Sequence, residues 1–184
     1  MGTPREPKPA KYFVALLSAE RDLLSAVEGD LTVILGTIDA RSEVLPWTLS
    51  KFYEKEMGPG LLRCFVSFES LVSPGKLADV KLATQRIEED YRRSTESGWG
   101  RRVNLDPGYV ESGKVVLAST KNASQRIYLC SGVYAEATLQ FYDGEFHGYP
   151  YSYPDYLWPE TMAFLTSLRT SYLHQLRQSG SARV

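Results

Sequence analysis

The spacing of apolar residues changes along the chain and predicts the order of its first elements. Residues 12–17 are a continuous apolar run of strand length. Apolar positions at helical spacing follow, up to a natural stop at Gly36, and predict a helix over 19–35. A second strand is predicted at 38–46, and alternating apolar and polar positions predict a third at 62–71.

The clearest helix signal lies at residues 74–95. Ser73 suits the N-cap and Pro74 suits the first helical position. The apolar side chains that follow recur at alternating intervals of three and four residues, as one face of a helix requires. A fourth strand is predicted at 102–106, where the turn-forming Pro107-Gly108 pair ends it.

These elements follow the order strand, helix, strand, strand, helix, strand. That is the split βαβ pattern of the ferredoxin-like fold, in which an antiparallel sheet packs two helices on one face. We therefore predict one α+β domain at residues 11–177. A flexible N-terminal arm at 1–10 and a frayed tail at 178–184 are predicted to flank it.

The remainder of the domain is predicted to extend this sheet. Residues 109–121 fit a strand or a helix equally well. A strand pair is then predicted at 126–130 and 133–142. Asp143-Gly144 predicts an added C-terminal β-hairpin, and Pro159 opens a terminal helix.

Composition narrows the functional classes without naming one. The chain has 184 residues, which suits one domain, and its 21 basic side chains nearly balance 22 acidic ones. That balance gives no general attraction to nucleic acid or to an anionic membrane. No apolar run is long enough to span a membrane, and no secretion signal opens the sequence, so a soluble, cytoplasmic protein is predicted. Cys64 and Cys130 have apolar neighbours and are predicted to be buried free thiols.

One cluster of polar side chains is predicted where the fourth strand ends. Asn104 and Asp106 share the strand face opposite Val103 and Leu105, and the Pro-Gly turn would expose Tyr109 beside them. An amide, a carboxylate and a phenol together suit a site for a polar ligand. The alternative is that Asp106 accepts hydrogen bonds from the backbone of its own turn.

A second candidate is Glu136, which lies on the polar face of its predicted strand between Tyr134 and Thr138. A carboxylate on a partly covered face can act as an acid or a base. The alternative is an ordinary solvated sheet face, which produces the same alternation without any chemistry.

Aromatic residues concentrate at 149–158, where four tyrosines and a tryptophan occur among two prolines. Such rings supply contact area at little entropic cost, so Tyr153, Asp155 and Tyr156 are predicted to wall a ligand site or to dock a partner. A loop that only caps one end of the sheet is the alternative.

Cations near the predicted cluster complete the candidate site. Lys114, Lys121 and Arg126 stand close to Ser119 and Thr120 and are predicted to clamp an anion, although no glycine-rich phosphate loop is present. The two histidines and two cysteines lack ligand spacing, so no such metal centre is predicted and no cofactor is assigned. A magnesium site made only of carboxylates stays open.

Six short motifs stand out along the chain: Phe-Tyr-Glu-Lys-Glu-Met-Gly (52–58), Val-Asn-Leu-Asp-Pro-Gly-Tyr (103–109), Lys-Val-Val-Leu-Ala-Ser-Thr-Lys (114–121), Arg-Ile-Tyr-Leu (126–129), Val-Tyr-Ala-Glu (133–136) and Tyr-Pro-Asp-Tyr (153–156). Together they resemble a known prokaryotic family, the domain of unknown function 4416 (DUF4416). The resemblance covers residues from about 8 to 177. It implies a single-domain bacterial or archaeal protein of this size, and it implies no activity, cofactor or catalytic residue.

Two hypotheses about function remain open. In the first, the protein binds, or also acts on, a small anionic metabolite or nucleotide in a cleft, with Asp106 and Glu136 as the catalytic acid/base groups. In the second, it is a non-enzymatic module that docks a protein or RNA partner through its tyrosine-rich loop. The ligand-binding residues expected for the first are Asn104, Tyr109, Lys114, Lys121, Arg126, Tyr153, Asp155 and Tyr156.

Overall fold

One antiparallel sheet organises the chain. The structure is a computed structural model that describes residues 2–95 and 98–180. Its strands are β1 (Ala10–Ser18), β2 (Ile38–Arg41), β3 (Leu45–Pro46), β4 (Leu62–Val72), β5 (Arg93–Thr95), β6 (Gly98–Gly100), β7 (Val103–Val110), β8 (Lys114–Ser119), β9 (Ile127–Cys130), β10 (Val133–Tyr142) and β11 (Glu145–Gly148).

Nine of these strands, among the described residues, form the main sheet in the order β11-β10-β8-β7-β1-β4-β2, with β3 on β4 and β9 on β10. β5 and β6 form a separate ribbon. The helices are α1 (Arg21–Leu35), α2 (Glu54–Met57), α3 (Leu77–Asp90) and α4 (Pro159–Gln178), and single 3₁₀ turns cover Pro74–Lys76 and Pro154–Leu157. The domain is therefore mixed α/β, as predicted, around one antiparallel sheet.

Local signals placed the helices well. Gly36 ends α1 with φ of 85°, a left-handed conformation that glycine adopts without strain. The Ser73 side chain accepts a hydrogen bond from the Gly75 N–H and opens the turn before α3, as predicted. α3 stops at Asp90, whereas the predicted helix continued to residue 95.

The strand alternation divides the core between the two faces of the sheet. Leu16 and its even-numbered neighbours on β1 pack with the apolar stripes of α1 and α3 in one cluster. Phe13 and Ala15 face the other way and pack against Leu165 of α4. Hence α1 and α3 share one face and α4 covers the opposite face, because successive strand residues point to opposite sides.

Two tight hairpins build the β9-β10-β11 edge. Ser131 and Gly132 have φ of 50° and 76°, and Asp143 and Gly144 have φ of 50° and 89°. Positive φ at both central residues is the hairpin turn that matches strand twist, so the predicted Asp143-Gly144 hairpin is present. Residues 109–121, whose sequence fits a strand or a helix equally well, contain strand β8.

Three local predictions are wrong. Pro107-Gly108 does not end a strand, because β7 continues to Val110 and pairs throughout with β1. The predicted strand at 38–46 is two short strands, β2 and β3. Cys130 is exposed on the edge strand β9, whereas Cys64 is buried, and both thiols are free.

The ends of the chain were predicted as a mobile arm and a frayed tail. β1 begins at Ala10 and α4 ends at Gln178, close to the predicted domain limits. Met1 and residues 181–184 lie outside the described residues. Within the described ranges, no helix combines the length and apolarity needed to cross a membrane.

Candidate functional site

A gap inside the sheet forms a cavity. β7 and β8 pair only where residues 108–110 face 115–117. The earlier part of β7, residues 103–107, does not pair with β8. Proline has no N–H, so the residue that ends this pairing cannot donate to a continued ladder. The cavity encloses about 140 Å³. The side chains that line it are Leu17, Trp47, Tyr53, Arg63, Lys81, Gln85, Glu88, Arg101, Asn104, Asp106, Leu117, Ala118, Ser119, Thr120, Lys121, Arg126, Glu136, Tyr153, Asp155 and Tyr156.

Two side chains of α3 replace the missing strand partner at this gap. The Leu105 N–H donates to Glu88 Oε1 at 2.7 Å, and Lys81 Nζ donates to the Leu105 carbonyl at 2.8 Å. Burial raises the pKa of Glu88 above its ordinary value, against the attraction of Lys81. Lys81 and Glu88 therefore have a structural task, because an unpaired buried backbone group would destabilise the sheet.

Asp106 presents a carboxylate to the cavity. Lys81 Nζ lies 3.2 Å from its Oδ1, and Asn104 Nδ2 donates to its Oδ2 at 2.6 Å. Burial alone would raise the pKa of Asp106, but the charges of Lys81 and Arg63 outweigh it and hold the pKa below its ordinary value. Since the side chain keeps 32% of its exposure, this anion is open to a ligand.

Arg63 is a buried cation with one unused donor. Its Nε and Nη2 donate to Asp155 Oδ2 at 2.9 and 2.7 Å, and its guanidinium lies 5.6 Å from the Trp47 ring centroid. Nη1 is buried, has no hydrogen-bond partner, and lies 3.9 Å from Asp106 Oδ2. Buried polar groups are nearly always satisfied, so this donor indicates a missing acceptor.

Tyr156 supplies a second unused polar atom in the same cavity. Its ring packs against Phe65 with centroids 5.5 Å apart, and its hydroxyl is buried without a hydrogen-bond partner. Burial raises the pKa of Tyr156 well above the ordinary value, so the phenol stays protonated and can donate. Burial likewise raises the pKa of Tyr53 and of Tyr153, which form the other aromatic walls.

Glu136 and Arg126 form a closed pair on the β10 side. Arg126 Nε donates to Glu136 Oε2 at 2.8 Å, and Gln125 and Thr138 lie 3.4 Å from the same carboxylate. The remaining Arg126 nitrogens donate to the Lys121 carbonyl and to Tyr153 Oη. These two ionic groups are therefore occupied by one another and by their neighbours.

A chain of hydrogen bonds joins the cavity to α2. Asn104 Oδ1 accepts from Arg101 Nη1 at 2.7 Å, and Arg101 binds both carboxylate oxygens of Glu56 at 3.0 and 2.8 Å. The guanidinium of Arg101 also lies 5.9 Å from the Tyr53 ring centroid. The helical turn α2 is thus fixed to the cavity wall.

The structure brings eight of the ten predicted site residues to one cavity, and their functional roles remain predictions. Two residues lie elsewhere. Tyr109 is buried against Tyr12 in the core under α1 and α3. Lys114 is at the far end of β8, where it pairs with Glu111 at 2.9 Å. The eight that line the cavity are Asn104, Asp106, Lys121, Arg126, Glu136, Tyr153, Asp155 and Tyr156.

The sequence analysis did not identify several residues of the cavity, although the sequence pattern gave a signal for Lys81, Glu88 and Arg63. Lys81 and Glu88 follow Leu77 and Thr84 by four residues, which places them on the buried stripe of α3. Arg63 shares a strand face with Phe65, and a cation on a covered face requires a partner. Tyr53, Trp47 and Arg101 carried no such signal, because only tertiary folding brings them to the gap.

The described residues offer little to a metal ion. They contain no group of three or more histidine, cysteine, aspartate or glutamate side chains arranged to hold one. The acidic side chains of the cavity instead contact cations or backbone donors.

Two comparisons with known proteins extend this description. The family model described as "Domain of unknown function (DUF4416)" matches residues 8–172. A search of curated proteins found no match.

Proposed function

Since the chain belongs to the DUF4416 family, whose description assigns no activity, we propose from its geometry that it binds a small anionic metabolite or nucleotide in the cavity between β7 and β8. One observation carries the proposal. Arg63 Nη1 and Tyr156 Oη are buried at this cavity without hydrogen-bond partners. Both donate, so the group they lack is an acceptor, and an anion supplies the strongest one.

Lys121 supports the same proposal. It lines the cavity, and among the described residues it contacts no carboxylate; its Nζ lies 5.6 Å from the Phe52 ring centroid. A cation without an acidic partner at the mouth of a cavity attracts an anionic ligand.

A thermal-shift panel of small carboxylates, phosphorylated metabolites and nucleotides tests the proposal. At least one anion is expected to raise the melting temperature, because a ligand that binds only the folded state stabilises it. Lys121→Gln should weaken that shift severalfold. Lys114→Gln is the matched control, since Lys114 lies outside the cavity, and it should leave the shift unchanged. If no anion shifts the melting temperature, the proposal is wrong.

Docking of a protein or RNA partner through residues 149–158 is less well supported. Tyr149 Oη donates to Gln140 and Tyr151 Oη donates to the Ala137 carbonyl, while Tyr153 and Tyr156 line the cavity. The tyrosines of this loop therefore either bond within the chain or line the cavity, which favours the cavity as the functional feature.

We also propose that β1, α1, β2, β4, α3 and β7 form a ferredoxin-like unit. The support is the strand order β7-β1-β4-β2 with antiparallel pairing and with α1 and α3 on one face. An experimental structure with β1 between β4 and β7 is the expected result. A parallel β1 would contradict it.

A cytoplasmic location is proposed as well. Its support is the pair of free cysteines, one of them the exposed Cys130, because exposed free thiols persist best in a reducing compartment.

A further inference from the structure

The charges of the cavity wall limit the charge of its occupant. Arg63 pairs with Asp155, Lys81 with Asp106, Arg126 with Glu136, and Arg101 with Glu56 and, at 3.9 Å, with Glu88. Lys121 is the cation that remains, among the described residues of the wall, without an acidic partner. Lys121 can therefore pair with one ligand carboxylate, whereas a phosphate dianion or a nucleotide would bring excess negative charge into a partly closed space.

The volume of the cavity also favours a small ligand. It encloses about 140 Å³, whereas sites for drug-sized ligands begin at roughly 300 Å³. This volume favours a compact organic acid over a nucleotide.

The hydrogen-bonding atoms define two adjacent subsites. The first consists of two donors, Arg63 Nη1 and Tyr156 Oη, in a cavity that Lys121 also lines, and it suits the oxygens of a carboxylate. The second is Asp106, whose carboxylate oxygens each receive one hydrogen bond and keep a lone pair for another donor. Arg63 Nη1 and Asp106 Oδ2 are 3.9 Å apart, so the ligand must offer an acceptor and a donor on the same carbon atom or on adjacent carbon atoms.

We propose that the occupant is a small α-hydroxy or α-amino monocarboxylate. Its carboxylate binds Arg63, Tyr156 and Lys121, and its hydroxyl or ammonium group donates to Asp106. The inference rests on the proposed anion-binding function and narrows it, because a plain carboxylate would offer no donor to the remaining lone pairs of Asp106 and a phosphate would bring two negative charges to the one unpaired cation, Lys121. Hydroxyl and ammonium groups share the donor chemistry that Asp106 requires, and the ligand series below separates them.

Isothermal titration of the full chain with matched acids tests the ligand class. Glycolate and lactate represent the hydroxy acids, glycine and alanine the amino acids, and acetate and propionate the same acids without a donor. Inorganic phosphate and AMP represent the competing class. At least one of the hydroxy or amino series should bind tenfold or more tightly than its donor-free partner, and phosphate and AMP should bind more weakly than that acid.

The outcomes separate this inference from the broader function. Acetate binding as tightly as glycolate and glycine would overturn the ligand class, because Asp106 would then have no role. Phosphate or AMP binding most tightly, with a loss in Lys121→Gln, would overturn the ligand class and leave anion binding intact. No binding by any probe would overturn both.

Tyr156→Phe supplies a direct test of the donor subsite. It removes one buried, unpaired hydroxyl and keeps the ring, so folding should be retained, as a thermal melt will show. Affinity for the preferred acid should fall about tenfold, the usual scale of one hydrogen bond to a charged group. Tyr109→Phe, at a buried tyrosine outside the cavity, is the matched control and should bind normally. Equal affinity in both variants would contradict the assignment of Tyr156.

Discussion

At the scale of single residues, buried charge is the feature that most constrains the site. Arg126 and Glu136 keep only 5% and 0% of their side-chain exposure, and each is the main partner of the other. Removing one member of such a pair leaves the other charge buried and uncompensated. Glu136 therefore contributes to the folded structure, and an acid/base role for it would compete with its pairing.

Glu136→Gln is expected to lower the free energy of unfolding by about 3 kcal/mol, because it leaves the buried charge of Arg126 without an acidic partner. Urea denaturation measures the change. Glu145→Gln on β11 is the control, since 74% of the Glu145 side chain is exposed, and it should change stability by less than about 0.5 kcal/mol. A negligible effect of Glu136→Gln would show that the ion pair contributes nothing to folding.

The two cysteines should react at very different rates with a thiol reagent. Cys130 is exposed, whereas Cys64 is buried and burial raises its pKa to about 11. One thiol should react in the native protein and two in the denatured, non-reduced protein, because the reactive species is the thiolate. Loss of native reactivity in Cys130→Ser would confirm the assignment. Fewer than two thiols after denaturation would contradict the free, reduced state.

At the scale of elements, the close approach of β7 and β8 depends on the absence of a side chain at Gly108. A Cβ atom at Gly108 would lie 2.5 Å from the Val116 carbonyl oxygen and 2.9 Å from the Phe13 ring. Such contacts are too short for two strands to keep their positions. The width of the gap that forms the cavity is therefore tied to glycine at this residue.

Gly108→Ala is expected to destabilise the protein by about 2 kcal/mol or more, because the strands must move apart. Gly113→Ala, three residues beyond the end of β7, is the matched control, since its Cβ would meet nothing within 4 Å. Thermal melts of both variants give the comparison. If Gly108→Ala melts like the unsubstituted chain, the close approach of β8 is not required.

Element boundaries that depend on neighbouring residues could be predicted from sequence, whereas boundaries that depend on pairing with a distant strand could not. Ser73 and Gly36 act on their own helix ends, so both were identified from sequence. Pro107-Gly108 looks like a turn in isolation, but β1 pairs with β7 on both sides of it. Because the strand continues, Tyr109 keeps the face of Val103 and Leu105, and this places it in the core instead of the site.

At the scale of the whole molecule, two carboxyl groups at the cavity give opposite pH dependence. Glu88 has a raised pKa, so above its ordinary value of 4.5 the folded state binds more protons than the unfolded state, and stability falls as pH rises through that window. Asp106 has a lowered pKa, so its stabilisation is present above 3.8 and is lost as pH falls through its folded value.

Lowering the pH from 7 to 5 is expected to stabilise the protein through Glu88. Glu88→Gln should reduce that gain, because the titrating group is removed. The glutamine oxygen can still accept from the Leu105 N–H. Denaturant midpoints at the two pH values, measured for both proteins, test this. An unchanged difference between pH 5 and pH 7 would contradict the raised pKa of Glu88.

The position of β1 also has a consequence for the order of events in folding. All nine of its residues are buried, and it pairs with β4 about 50 residues away and with β7 about 90 residues away. The β9-β10-β11 meander closes through adjacent tight turns, and such local pairing is fast compared with distant pairing. During synthesis this fully buried strand therefore waits longest for both neighbours. Chains that stop before β7 should aggregate or recruit chaperones, even though the finished domain keeps this strand fully enclosed.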